Sequence, residues 1–324
     1  MLYTSLGNTG LRISQIGIGT WQFGDKWWGW GKGYGEREAI NAIRKAVELG
    51  VNFIDTAEIY GGGLSEQIVG KAVQDFREQV VIATKVWPTH ATYNGVIKAC
   101  ERSLKRLNVK YIDLYQVHWP NPVIPISQTM KAMEHLVKQG KINYIGVSNF
   151  SLKQLIKAQE SLKSEQIVSN QVKYNMIERE AEKELLPYAA SEKITIIAYS
   201  PLAQGLLTGK YNPNNIPRDA IRKINILFDK QNLEALQELI KLLKEIGERY
   251  GKTPGQIALN WLIKRNEVIA IPGVKNPQQA EQNAQAGDFK LSDEDITLLT
   301  KAVERIKINK RLSKLRALIR LITS

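Results

Sequence analysis

Residues 52–63 read NFIDTAEIYGGG. A short apolar run ends on Asp55, Tyr60 follows five residues later, and three glycines lead into a helical pattern from Leu64. This is the form of a buried strand that feeds a turn and then a returning helix. Taken alone, Asp55 serves as well for a helix cap or turn former, and Tyr60 for an amphipathic plug. The question turns on whether other strand ends bring partners to these two groups.

Working outward, the same unit recurs along the chain. Strand-like runs fall at 16–20, 52–57, 80–86, 112–118, 142–148, 167–174, 195–201 and 268–273. Helical patterns lie between them near 36–50, 64–75, 94–107, 127–140, 151–160, 180–192, 254–265 and 277–286. The repeat is roughly 25–35 residues, the size of a strand plus its returning helix. Several strands are continuously apolar, as expected when both sheet faces are covered. Eight such units without a Gly/Ser-rich linker predict one closed (β/α)8 TIM barrel over residues 1–300, with extra helices towards the C-terminus. A doubly wound open sheet is the alternative. Against it, no strand is followed by G-x-G-x-x-G, the run GWGKGYGE (29–36) misses that spacing, and no P-loop is present. The segment LYTSLGNTGLRIS (2–14) reads as a hairpin that would cover the barrel's bottom. Two long inserts, 21–35 and 203–230, are too long for simple connections and are expected to carry function or be disordered.

Composition narrows the class. Of 324 residues, 43% are apolar and 24% charged, which fits an ordinary globular protein. No run of eighteen apolar residues suggests a membrane span. MLYTSLGNTG lacks a basic stretch followed by an apolar core, so no secretory signal is expected. Cys100 is the single cysteine, which excludes an internal disulfide and agrees with a reducing cytoplasm; in IKACERSL it reads as a buried helix residue. The net charge of +13 is concentrated: residues 301–324 carry eight Lys/Arg and one Glu. The excess belongs largely to this tail, not to a groove-binding surface, so nucleic acid is not expected as a partner.

Barrel sites form at the C-terminal ends of the strands. Those ends present Asp55 and Tyr60, then Lys85, then His118. A phenol ordinarily titrates near ~10, and a neighbouring Lys⁺ would lower that value. Asp55 would hold Lys85, His118 would address a substrate carbonyl, and Tyr60 would act as a tuned general acid. No nucleophile–base pair and no metal signature stands out, so a hydride source has to be sought elsewhere in the chain.

At this point a resemblance emerges. DTAEIYGGGLSEQIVGKAV, IATKV, DLYQVHWP, IGVSNFS, NQVKYN, AYSPLAQGLLTGKY and IPGVKNPQQAEQN, in that order across residues 2–300, resemble the aldo-keto reductase family. The resemblance implies a (β/α)8 barrel that reduces aldehydes and ketones reversibly, without metal, with hydride from nicotinamide C4. It carries the catalytic tetrad onto Asp55, Tyr60, Lys85 and His118, with Tyr60 the proton donor. It further implies nicotinamide contacts at Ser148, Asn149 and Gln171, with stacking on Tyr199. Ser200, Leu202, Gly205 and Lys210 match the pyrophosphate segment. Gly273, Lys275, Gln279, Gln282 and Asn283 match the site for the adenosine 2′-phosphate and adenine. Many members place arginine where Gln279 stands, so NADPH is expected first and NADH remains open. The resemblance also admits a second function: a nicotinamide-sensing regulatory subunit like the barrel β-subunits of potassium channels.

Other residues divide between bland and functional readings. His118 alone would pass for a core histidine; His90 and His135 read as loop and helix residues. Trp261 reads as helix packing. Trp27, Trp28 and Trp30, with Trp87 and Trp119, are expected to wall an apolar or aromatic substrate pocket, the alternative being a self-packed plug. Glycines 61–63 read as a turn and helix lead-in. In the tail 301–324, Ile308, Leu312, Leu315, Ile319 and Ile322 fall on one helical stripe, flanked by Lys307, Lys310, Arg311, Lys314, Arg316 and Arg320. Such a segment packs on the barrel, or binds an acidic membrane surface or a protein partner.

Overall fold

The computed structural model describes residues 1–217 and 219–309. An antiparallel hairpin comes first, β1 (Tyr3–Ser5) paired with β2 (Arg12–Ser14). Eight parallel strands follow: β3 (Ile18–Gly19), β4 (Phe53–Asp55), β5 (Val81–Val86), β6 (Ile112–Val117), β7 (Ile142–Ser148), β8 (Ile167–Lys173), β9 (Thr195–Tyr199) and β10 (Val268–Ala270). They pair in sequence order, and parallel bridges Ile16 to Ala270 and Gly19 to Gly273 join the last strand to the first. The expected barrel is present.

The helices are α1 (Glu36–Glu48), α2 (Leu64–Val73), α3 (Tyr93–Leu107), α4 (Ile126–Lys138), α5 (Leu152–Glu160), α6 (Leu185–Glu192), α7 (Ala220–Lys223), α8 (Lys230–Ala235), α9 (Gln237–Tyr250), α10 (Pro254–Leu262), α11 (Pro277–Ala284) and α12 (Asp293–Glu304). Their starts carry local signals. Thr253 caps α10 with Pro254 at its first position, and Ser151 with Gln154 forms a capping box on α5. Helix α9 falls within 231–253, a segment outside the expected strand–helix units. Its Leu239, Ile240, Leu243 and Ile246 have helical spacing and are buried. Insert 203–230 holds a 3-10 helix at Ala203–Thr208 and α7.

Two apolar layers hold the barrel. Inside, Phe53, Val81, Leu114, Val168, Ile197 and Ile269 meet, and Leu6 and Ile13 of the hairpin join them as a floor. Outside, Ile54, Ile82, Tyr115, Ile145 and Ile196 face helix residues such as Ile43, Ile68, Ala99 and Met133. The strands are thus largely apolar on both faces, and the inward charged and amide side chains Asp55, Lys85, Gln116 and Gln171 lie towards their C-terminal ends. Trp261 packs as expected, fully buried, with Nε1 donating to Thr300 Oγ1 at 3.1 Å. Beyond α12 the chain docks on α8, where Asn309 N donates to Asn232 Oδ1 at 2.8 Å, and Ile308 packs against the core. Leu312, Leu315, Ile319 and Ile322, and with them the tail's expected membrane or protein contact, lie outside the described residues. Among the described residues no helix is long and apolar enough to cross a membrane.

Candidate active site

Strand parity delivers the polar cluster. Phe53 faces inward and Ile54 outward, so Asp55 faces inward. Val81 and Ala83 face inward, and Lys85 continues that row; Leu114 does the same for Gln116 and His118. In β8 a register shift opposite Ile145 and Gly146 changes the parity, so that Gln171 lies inward with Val168.

Lys85 and Asp55 form a buried pair, 0% and 2% exposed, with Nζ 2.6 Å from Oδ1. Lys85 Nζ also donates to the Thr56 carbonyl at 2.8 Å and to the Tyr60 hydroxyl oxygen at 3.2 Å. An ammonium has three protons, and these contacts use them all. Because the Tyr60 oxygen accepts from Lys85, its own O–H is left to point into the cavity. Asp55 Oδ2 accepts from Gln171 Nε2 at 2.7 Å and Gln116 Nε2 at 3.1 Å. Gln116 was not foreseen from the sequence, although it lies two residues before His118 and so faces inward one layer lower.

The direction of the Tyr60 shift differs from expectation. Burial, and then the Asp55 charge, hold the phenol well above its ordinary value. Lys85 is itself depressed by burial against the opposing pull of Asp55, and its contact does not reverse the balance on the phenol. Tyr60 is therefore a protonated donor at any ordinary pH. His118 is pushed down to about 2 by burial and then by Lys85, so its imidazole is neutral. The ring sits edge-on to both Tyr60 and Trp87, with centroids 5.6 and 5.1 Å away, and its Nδ1 has no hydrogen-bond partner. The turn bearing Trp87 is anchored by Glu58, another residue the sequence reading passed over: it accepts from Trp87 N at 2.7 Å and Arg102 at 3.2 Å, and contacts His90 Nδ1 at 2.9 Å. Gly61, Gly62 and Gly63 all have positive φ; a Cβ on Gly61 would stand 2.7 Å from the Phe23 carbonyl, which explains glycine in this lead-in.

Tyr60 and His118 open on a cavity of about 870 Å³ that continues over the strand ends. Ser148, Asn149, Gln171, Tyr199, Ser200, Leu202, Gly205, Lys210, Gly273, Lys275, Gln279, Gln282 and Asn283 all line it. Asn149 ties three strand ends together: Nδ2 donates to the His118 carbonyl at 3.1 Å and to Ser148 Oγ at 3.0 Å, and Oδ1 accepts from the Tyr199 hydroxyl at 3.0 Å. Asn149, Ser200, Ala203 and Gln204 have positive φ without being glycine. Strained backbone of this kind clusters at ligand clamps. Lys210, Arg222 and Lys275 gather beyond it. Arg222 lies over Trp28 and Tyr211, at 5.1 and 5.4 Å, and donates to the Gln204 carbonyl at 2.8 Å. Lys275 donates to the Trp28 carbonyl, and burial, followed by Arg222, depresses its pKa. Three converging cations beside strained backbone form a donor set suited to phosphates. Sequence reasoning missed Arg222. The signal was Asp219 capping a short helix within an insert already set apart.

The aromatic expectation needs correction. Trp87 and Trp119 line the cavity, as does Trp28, though Trp28 belongs with Arg222 and Lys275 at the cationic end. Trp27 does not line it and is 67% exposed. Trp30 instead packs in the loop against Phe23 and Tyr34, with centroids 6.2 and 5.3 Å away. Trp21 and Ile59 line the cavity and were not foreseen. Among the described residues no group of three or more acidic, His or Cys side chains is placed to hold a metal.

A closed barrel with an Asp–Lys–Tyr–His cluster at its C-terminal mouth and a long cationic groove beside it defines a (β/α)8 oxidoreductase. The chain belongs to the aldo/keto reductase family, whose model matches residues 15–304. It is 40% identical over 311 residues to an aldo-keto reductase of Bacillus subtilis, covering 91% of each chain. It is 32% identical to an NADH-specific methylglyoxal reductase of Escherichia coli, covering 93% of this chain and 98% of that one. A Klebsiella pneumoniae aldo-keto reductase solved with NADPH superposes with a TM-score of 0.76 at 30% identity, over 95% of this chain and 99% of that one.

Proposed function

We propose that the protein reduces aldehydes and ketones to alcohols with NADPH, and that Asp55, Tyr60, Lys85 and His118 carry the proton chemistry. The observation that carries this reading is the direction of donation at Tyr60: Lys85 donates to the phenol oxygen at 3.2 Å, so the phenol's proton faces the cavity. The strained segment 200–205 with Lys210, Arg222 and Lys275 supports holding the cofactor phosphates, and Tyr199 with Gln171 and Ser148 supports holding the nicotinamide. When bound, the nicotinamide supplies hydride to the carbonyl carbon. Neutral His118 offers an N–H to the carbonyl oxygen and orients it towards Tyr60. As that oxygen gains alkoxide character it becomes a stronger base than a phenolate, so Tyr60 gives up its proton despite its raised pKa. Lys85 then stabilises the phenolate left behind, and Asp55 balances the buried ammonium. The NADPH-bound Klebsiella relative supports that cofactor; the NADH-specific Escherichia relative, with Gln279 in this chain, supports NADH as an alternative. Single, buried Cys100 is consistent with a reducing compartment, and the cytoplasm is the proposed location.

The test is oxidation of NADPH and NADH with a panel of aromatic and aliphatic aldehydes, on the parent and on Tyr60→Phe. Many turnovers with at least one aldehyde are expected, with the variant slower by about 10²–10⁴-fold. Oxidation that stops after a single equivalent would overturn the reductase reading in favour of a nicotinamide sensor.

A further inference from the structure

Gln116 touches neither the tetrad tyrosine nor the cavity, yet it lies between two groups that matter. Its Nε2 donates to Asp55 Oδ2 at 3.1 Å, and its Oε1 accepts from Gln171 Nε2 at 3.4 Å. Gln171 Nε2 also donates to Asp55 Oδ2 at 2.7 Å. All three side chains are buried, at 0–2% exposure. A carboxylate offers only acceptors, so both amides must turn their nitrogens towards Asp55. Once both protons of Gln171 Nε2 are directed at Asp55 and Gln116, its carbonyl oxygen is the polar atom left for the cavity, which Gln171 lines. Without Gln116, one of those protons loses its acceptor and the amide gains rotational freedom.

We infer that Gln116 is a positioning residue that locks the Gln171 amide with its oxygen towards the cavity. The lock makes the site an acceptor for a primary amide N–H, as on a nicotinamide carboxamide, and joins cofactor recognition to the Asp55–Lys85 pair. This rests on the proposal that Gln171 contacts the nicotinamide.

The test is a double-mutant cycle on NADPH affinity, read by quenching of protein fluorescence, with Gln116→Met, Gln171→Met and the double variant. Methionine keeps the volume and removes the hydrogen bonds. Thermal melts confirm folding, and Gln116→Leu replaces the methionine variant if that one does not fold. Gln171→Met is expected to weaken NADPH binding about tenfold, and Gln116→Met nearly as much. The double variant should bind no more weakly than Gln171→Met, because Gln116 acts through Gln171. The KM for NADPH should rise in step while the KM for the aldehyde does not. Additive losses, or a Gln116→Met variant with parental affinity beside a weakened Gln171→Met, overturn the lock and leave the cofactor reading standing. Parental affinity in Gln171→Met overturns both.

Discussion

Lys85 donates to the Tyr60 hydroxyl oxygen across 3.2 Å while it is paired with Asp55 at 2.6 Å, so one buried ammonium both orients the phenol and depends on a carboxylate for its own charge. Activity and stability are therefore separable at this position. Lys85→Met should lower kcat by about 10²-fold or more. It should also cost about 3–5 kcal/mol of stability, because Asp55 stays buried without its counter-ion. Asp55→Asn combined with Lys85→Met should regain much of that stability and none of the activity. Urea melts and steady-state rates on the three proteins check this, and recovery of both properties together would contradict it.

His118 gives a pH prediction with a definite sign. Its folded pKa, pushed down to about 2, lies below the ordinary value of about 6.5 in an unfolded chain. Between these values the unfolded state binds the extra proton, so stability rises with pH through the window and falls on acidification. From pH 7 to pH 5 this group alone should remove about 2 kcal/mol. His118→Gln should show a correspondingly shallower loss over the same interval, measured by denaturant melts. In the parent, kcat/KM should carry no His118 inflection between pH 5 and pH 8, since the imidazole is already neutral there.

The cationic end predicts cofactor preference. Gln279 accepts from Lys275 N at 2.9 Å and adds no charge where Lys275 and Arg222 already stand. Gln279→Arg should favour NADPH over NADH by about tenfold relative to the parent, through a charge-assisted contact with the 2′-phosphate. Lys275→Met should shift the ratio the other way. Dissociation constants for both nucleotides decide it, and an equal change for each would place these residues away from the 2′-phosphate.

How much of this was legible depended on periodicity. Asp55, Lys85 and His118 could be found because each ends an apolar strand, where a charged residue stands out against its neighbours. Gln116 lies level with Lys85 on the next strand but carries no charge to mark it, and Gln171, in β8, emerges only through the family resemblance; the parity of the barrel, and the shift in β8, turn both towards Asp55. Insert 21–35 was legible as important, but its period gives no direction to its side chains. Trp28 and Trp27 are adjacent in sequence, yet the 3-10 turn Lys26–Trp28 sends one under Arg222 and the other to solvent. Helix α9 has a clear apolar period of its own, but a repeat of one helix per strand leaves no place for it.

The different settings of the tryptophans also separate two substrate classes. Trp119 is 43% exposed at the cavity's edge and follows His118 directly in the sequence, while Trp87, from the neighbouring strand end, stands edge-on to the His118 ring at 5.1 Å. An aromatic aldehyde entering there would bury a ring face against Trp119, a contact worth about 0.5–1.5 kcal/mol beyond the area covered. Trp119→Ala should raise the KM for aromatic aldehydes about tenfold and leave kcat nearly unchanged, since the contact is made equally before and during reaction. Short aliphatic aldehydes, which do not reach the indole, should be affected little. Trp27→Ala should leave both classes at parental values, because that ring lies off the cavity. Steady-state kinetics with one aldehyde of each class separates the cases. Equal effects at Trp27 and Trp119 would mean that Trp27 meets the aromatic substrate as closely as the cavity wall does, against its place off the cavity.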